Sequence, residues 1–228
     1  MDTRLHWNYF LALEKDLERV SRYIEFCTPN LQVYSIELAH LLFAAASEVD
    51  TVAKCVCKIL DPKAECENIN DYRKVITKAE GEETYPPIMV TTGDGPKLKP
   101  EHRHKLSELQ VFIPHYSISV VPWESWEEDK NPDWWHSYNH VKHQRNTSFH
   151  EATLGNAINA LGGLLALNYV YCRILMTKDH PENRYQVKGR YVTSRLQPES
   201  TFMRFREDYY ESLRDDMAGF VRSMVDGG

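Results

Sequence analysis

The chain has 228 residues, of which 42% are hydrophobic and 26% charged, with a formal net charge of -6 at pH 7. That length suits one sizeable core, and that composition excludes a disordered or fibrous chain. The acidic balance also excludes a general pull toward polyanions, so nucleic acid would have to bind at a locally basic site.

From about Thr3 to Phe26, the residues Leu5, Tyr9, Leu13, Leu17, Val20 and Ile24 recur at threes and fours, which predicts an amphipathic helix ended by Pro29 and Asn30. The opening residues lack the apolar run and small-residue cleavage site of a signal peptide, so the expectation is a soluble, unexported, cytoplasmic protein. Leu31 to Leu60 contains neither Gly nor Pro and is apolar over much of its circumference, as a central bundle helix should be; Asp61 and Pro62 stop it. From about Thr84 to Asn131, prolines and glycines punctuate short β-prone runs such as IMVTT and YSISVV, which predicts a loop-rich, partly β insertion over 84–131.

Pro132 opens the next helical signal, DWWHSYNHVKH. Ser148-Phe-His-Glu151 then fits a capping box and predicts a separate helix running to about Met176. Within it, Gly162-Gly163 costs helix propensity, which predicts close approach of another helix. The apolar stretch from Ala160 to Val170 is interrupted by Gly162, Gly163 and Asn168 and is too short to span a bilayer, so no membrane is expected. Residues Asp179 to Ser200 read as a loop with a hairpin around RYQVKGRYVTSR, and a charged helix is predicted from about Met203 to Met224. The expected fold is therefore an all-α helical bundle forming one domain over 1–228, with a C-terminal extension over 179–228.

The five cysteines, Cys27, Cys55, Cys57, Cys66 and Cys172, are odd in number and form no C-x-x-C pair, so reduced and mostly buried thiols are expected. His102, His104 and His115, or His136, His140 and His143, are the only histidine groupings that suggest a metal. His136 and His140 have the helical spacing of zinc hydrolases, but HSYNH lacks the glutamate of H-E-x-x-H. The expectation is no metal and no cofactor. No P-loop, G-x-G-x-x-G or G-x-S-x-G string occurs either.

The chemistry-bearing stretch is RNTSFH, Arg145 to His150. Arginine can grip phosphate oxygens with a bidentate fork, and histidine exchanges protons near neutral pH. On one continuous helix, residues five apart point about 140° apart. With Ser148 as the cap, His150 falls in the first turn of the new helix and Arg145 in the connection before it, so both can face one space beside the helix N-terminus. The blander alternative pairs Arg145 with Glu151 on the surface and leaves His150 as an ordinary first-turn residue.

Arg145, Asn146 and His150 resemble the signature of the HEPN superfamily, all-α domains of prokaryotic toxin-antitoxin, abortive-infection and CRISPR-linked ribonucleases. That signature is an arginine, a polar residue that is often Asn, and a histidine four to six positions after the arginine near a helix start. The helix carrying Glu48, Asp50 and Lys54 in an apolar frame is similar to the acidic helix of that bundle. The likeness covers roughly 1–60 and 132–176 and leaves the insertion and the C-terminal third outside it.

The resemblance implies a metal-independent endoribonuclease working as a homodimer, with two copies of the motif meeting in one composite cleft. It further implies a toxin or antiviral defence effector with an antitoxin or other defence-system partner protein. In such a site the histidine acts as general acid or base and the arginine stabilises the phosphate. His143 is the rival to His150 for the proton. Asn139, His143 and Asn146 would form one polar stripe if the helix ran that far; His143, Asn139 and Lys142 either line the RNA cleft or hydrogen-bond loops, and Glu48 and Asp50 either orient the arginine or histidine from the facing helix or form surface ion pairs. Trp134, Trp135 and Tyr138 are either stacking surfaces or, as large rings usually are, core anchors. Two other readings stand beside this one: a catalytically inactive HEPN-like module that binds a protein or RNA, and a helical structural protein whose motif is coincidental.

Overall fold

The computed structural model describes residues 3–81, 90–92, 95–97, 105–179, 192 and 196–205. The described residues are mainly helical, with two small sheets.

Helix α1, Thr3–Val20, buries Trp7, Phe10, Leu13, Leu17 and Val20, a face spaced in threes and fours. The expected stripe is rotated at its start: Leu5 and Tyr9 are exposed, because the two large rings of Trp7 and Phe10 stack on each other and take the core side. The helix also stops at Val20, earlier than the pattern implied. The chain turns there and runs through a 3-10 turn at Thr28–Gln32.

Helix α2 is Ile36–Leu60, not the unbroken Leu31–Leu60 expected. Ser35 sets its start by accepting the Leu38 N–H at 3.2 Å, a side-chain cap that the apolar pattern alone does not reveal. Ahead of it the chain is extended, and Tyr34 forms an isolated antiparallel bridge with Thr153. Helix α3, Ile69–Gly81, was not anticipated, since its sequence is mostly polar. It holds to the body through Ile69, Tyr72 and Ile76, which share one face, and through Asn68, which accepts the Asn70 N–H at 3.0 Å at its start.

The insertion contains two antiparallel hairpins. Strand β1, Val90–Thr92, pairs with β2, Gly95–Lys97. Strand β3, Val111–Ile113, pairs with β4, Ile118–Val120. A last strand, β5, Arg204–Phe205, joins the free edge of β3. That strand replaces the beginning of the helix expected from Met203, and the rest of that helix, like most of the hairpin around 184–195, lies outside the described residues.

Helix α4, Asp133–His143, is followed by a short α5, Arg145–Ser148, a 3-10 turn at Phe149–Glu151, and α6, Leu154–Asp179. Helix α6 lies at the centre, packed along α2 and also against α1 and α4. Its stretch Leu154–Met176 is long and apolar enough to cross a membrane, contrary to the shorter run expected, but most of it is buried inside the fold. A core helix surrounded by other elements must be apolar all round.

Gly162 and Gly163 do mark a close approach, though the main visitor is a loop and not a helix. A Cβ on Gly162 would lie 3.1 Å from Pro122 Cγ, and one on Gly163 would lie 3.2 Å from Trp134 Cζ2 and 3.3 Å from Trp123 Nε1. Trp123 donates to the Gly163 carbonyl at 3.1 Å and Trp134 to the Pro122 carbonyl at 2.8 Å, which locks the insertion onto α6. The five cysteines are all free thiols; Cys57 and Cys172 are buried and the other three half-buried.

Candidate functional site

The site region begins on α4. Trp134 and Trp135 are buried, so these rings anchor the helix and offer no stacking surface. The opposite face carries His136, His140 and His143, while Lys142 lies on the side of Trp135 and Tyr138; all four side chains are exposed. Gln144 then leaves helical geometry, with φ -133° and ψ 44°, and α4 ends. The expected stripe of Asn139, His143 and Asn146 is therefore interrupted, since Asn146 belongs to α5. Asn139 is half-buried and donates to the Trp135 carbonyl at 3.0 Å on its own helix.

The expected capping box is absent. Ser148 makes no capping bond, and Thr153 caps α6 instead, its hydroxyl accepting the Asn156 N–H at 3.2 Å. The next amide, on Leu154, donates to the Val33 carbonyl at 2.8 Å. These two amides are occupied within the fold, which leaves the start of α6 fewer donors for a phosphate than the sequence implied. The chain breaks twice: at Gln144, before Arg145, and again at Ser148, with φ -111° and ψ 10°, between Arg145 on α5 and His150. His150 sits in the 3-10 turn, ahead of α6.

Glu151 explains why Thr153 takes over the cap. Its carboxylate lies 3.0 and 3.1 Å from His140 Nδ1, reaching back to α4 and not to the Ser148 backbone. Partial burial pushes the Glu151 carboxyl upward, but bonds from His140, Ser137 and Ser148 outweigh this and hold it below the ordinary value. Arg145 is thereby left without the carboxylate that the blander reading gave it.

Arg145 instead lays its guanidinium over the Phe43 ring, 5.3 Å from the centroid. Lys142 sits over the Tyr138 ring at 5.3 Å, with Nζ 3.2 Å from the hydroxyl. Phe43 and Tyr138 meet edge to face at 6.0 Å, so two cations ride on two touching rings. Phe43 was missed from the sequence because it reads as one more apolar residue of α2. The wider pattern was legible: from Trp134 to His150 there is no Asp or Glu, while Lys142, Arg145 and four histidines fall in that stretch.

His143, Arg145, Asn146 and His150 are exposed, and none makes a hydrogen bond or ion pair with the described residues. Arg145 and His150 share one short segment but do not contact each other. Glu48 is not part of this surface: it faces α1, where His6 Nδ1 lies 2.5 Å from its carboxylate, and both side chains are 13% exposed. Asp50 is likewise engaged elsewhere, accepting from the Tyr72 hydroxyl at 2.7 Å and from Lys54 at 2.6 Å. The helical phase accounts for this, since Glu48 lies five residues after Phe43 and points about 140° away.

Among the described residues no three His, Cys, Asp or Glu side chains converge as metal ligands. His115 packs edge-on against Tyr116 in a separate turn. No protein-family model, no curated protein and no solved structure matches the chain.

Proposed function

We propose that the protein is a HEPN-type, metal-independent endoribonuclease of the cytoplasm that acts as a homodimer and serves as a toxin or antiviral defence effector. The observation that carries the reading is the exposed basic segment: in a chain of net charge -6, Lys142, Arg145 and His150 are exposed within a stretch that has no Asp or Glu from Trp134 to His150, and the acid that follows, Glu151, is turned to His140. Such a patch attracts a phosphodiester locally where the whole protein does not.

In the proposed reaction a 2′-hydroxyl attacks the adjacent phosphorus and gives its proton to an imidazole. The new P–O2′ bond forms as the P–O5′ bond breaks, and the 5′-oxygen takes a proton from a second imidazole. Arg145 stabilises the charge on the phosphate oxygens, and the products end in 2′,3′-cyclic phosphate and 5′-hydroxyl. His150 is the first assignment for the proton and His143 the rival, with Asn146, Asn139 and Lys142 holding the RNA. Two copies in one cleft would supply the two imidazoles, and an antitoxin or defence-system protein would be the restraining partner.

A second reading, an inactive HEPN-like module that binds RNA or protein, is favoured by one observation: Arg145 rests on Phe43 and makes no contact with His150 within a chain. One experiment separates the two. Purified protein with end-labelled RNA and EDTA should release cyclic-phosphate ends, and Arg145→Ala and His150→Ala should each abolish them. RNA retained without cleavage would favour the binding module; cleavage surviving both substitutions would remove the site assignment.

A further inference from the structure

Beside the acid-free segment stands an aromatic ring that the proposed reaction does not use. Tyr34 is 52% exposed, flanked by Val33 at 37% and Ile36 at 64%. Its backbone is nevertheless fixed, by the bridge to Thr153 and by the Val33 carbonyl that accepts the Leu154 N–H at 2.8 Å. Its ring meets Phe149 edge to face, 5.9 Å between centroids at 89°. Phe149 lies directly between Ser148 and His150 in sequence, so Tyr34 adjoins the turn that carries His150. Phe149 and Phe43 pack against one small cluster of Ala39, Val141 and Ala152, so the ring that Tyr34 touches and the ring under Arg145 share one cluster.

A ring held in place before binding loses little conformational freedom when something stacks on it. Every nucleobase offers a flat face for such stacking, and the neighbouring cations attract the phosphates attached to it. The acids nearest in sequence, Glu37 and Glu151, lie 3.9 Å from His40 and 3.0 Å from His140.

We propose that Tyr34 is the stacking platform for the RNA base adjoining the phosphate held by Arg145 and His150, an inference that rests on the ribonuclease reading. The ring does the work, so the hydroxyl is dispensable. Tyr34 is a substrate-positioning residue and takes no part in proton transfer.

The test uses the full chain carrying His150→Ala, to prevent cleavage, and a fluorescein-labelled 12-nucleotide RNA of mixed sequence in EDTA. Adding Tyr34→Ala should weaken binding about ten-fold, the effect of one lost base stack, while Tyr34→Phe and Tyr34→Trp should bind as before. A series of RNAs, each with one abasic position, provides a control that no folding defect can imitate. One abasic position should weaken binding to the Tyr34 protein as much as Tyr34→Ala does, and should cause no further loss in Tyr34→Ala.

Equal binding by Tyr34→Ala, or the absence of any such abasic position, would overturn the proposal while leaving the ribonuclease reading intact if wild-type protein still cleaves. A shift from dimer to monomer in Tyr34→Ala on sedimentation would overturn it in favour of a contact between copies. Wild-type protein that neither binds nor cleaves RNA would overturn both.

Discussion

His140 Nδ1 lies 3.0 Å from Glu151 Oε2, tying the last turns of α4 to the turn that leads into α6. This link shapes the candidate site twice over. It removes Glu151 from Arg145, and it holds the Arg145–His150 segment at both ends.

Glu151→Gln should therefore cost about 1 kcal/mol at pH 7, a fall in Tm of about 2–4 °C. The carboxyl is held below its ordinary value of 4.5 in the folded chain. A depressed carboxyl contributes stability above its unfolded pKa and loses it as pH falls through the folded pKa. Wild type and Glu151→Gln should thus differ at pH 7 and converge near pH 3, measured by urea unfolding; a gap as wide at pH 3 as at pH 7 would contradict this.

Gly163→Ala should destabilise by about 1–3 kcal/mol although alanine is the better helix former. The new methyl would press on Trp134 and Trp123, which are 2% and 0% exposed and hydrogen-bonded in place, so neither ring can yield. Thermal unfolding monitored by tryptophan fluorescence would show the loss, and a raised Tm would refute the tight contact.

Glu14 is 2% exposed and accepts the backbone N–H groups of Phe202 at 3.1 Å and Met203 at 2.8 Å, as well as the Ser200 hydroxyl. Glu14→Ala would strand those donors, at a cost of about 3 kcal/mol. Amide hydrogen exchange should accelerate at 202 and 203 well before the core of α6, and unchanged protection there would show that the carboxylate is not what holds the segment.

Phe43 positions Arg145. On the proposed ribonuclease reading, removing its ring with Phe43→Leu should lower kcat/KM for RNA about 2- to 5-fold, the weight of an exposed cation–π contact. The same change in an Arg145→Lys background should have a clearly smaller effect. Additive losses would mean that Phe43 acts only through packing.

Lys142→Ala should weaken RNA binding at all sequences alike and reduce the slope of log affinity against log salt by about 0.7, one phosphate contact on a single strand. Titrations between low and moderate salt would measure it. An unchanged slope would place Lys142 outside the RNA path.

Much of the helical frame was legible in the residues themselves. The spacing of apolar side chains on α2, α4 and α6 follows from the need to bury one face or all faces of a helix, and that need is written locally. The turn-rich composition of the insertion likewise pointed to loops with short β segments, and β3 and β4 lie there as a pair. α3 escaped notice because only a few of its residues are apolar and its two buried charges are held by distant partners: Arg73 donates to Asp129 at 2.8 Å, and Glu80 accepts the Leu106 N–H at 2.7 Å.

At the candidate site the sequence determined which groups are present: a cation, an amide and imidazoles within a stretch free of acids. It could not determine who partners whom, because capping and pairing are competitions settled by groups far apart in the chain. Ser148 and Glu151 satisfy the capping pattern, yet His140 offers Glu151 a hydrogen-bonding partner and Thr153 is free to cap, so the box never closes. Glu48 has the right chemistry to meet Arg145, but helical phase turns it toward His6. Phe43 and Tyr34 look like ordinary apolar residues until α2 and the segment before α6 are laid side by side. Which residues exist is a property of the chain; which of them touch depends on burial and hydrogen bonding between distant segments, and only the tertiary structure decides it.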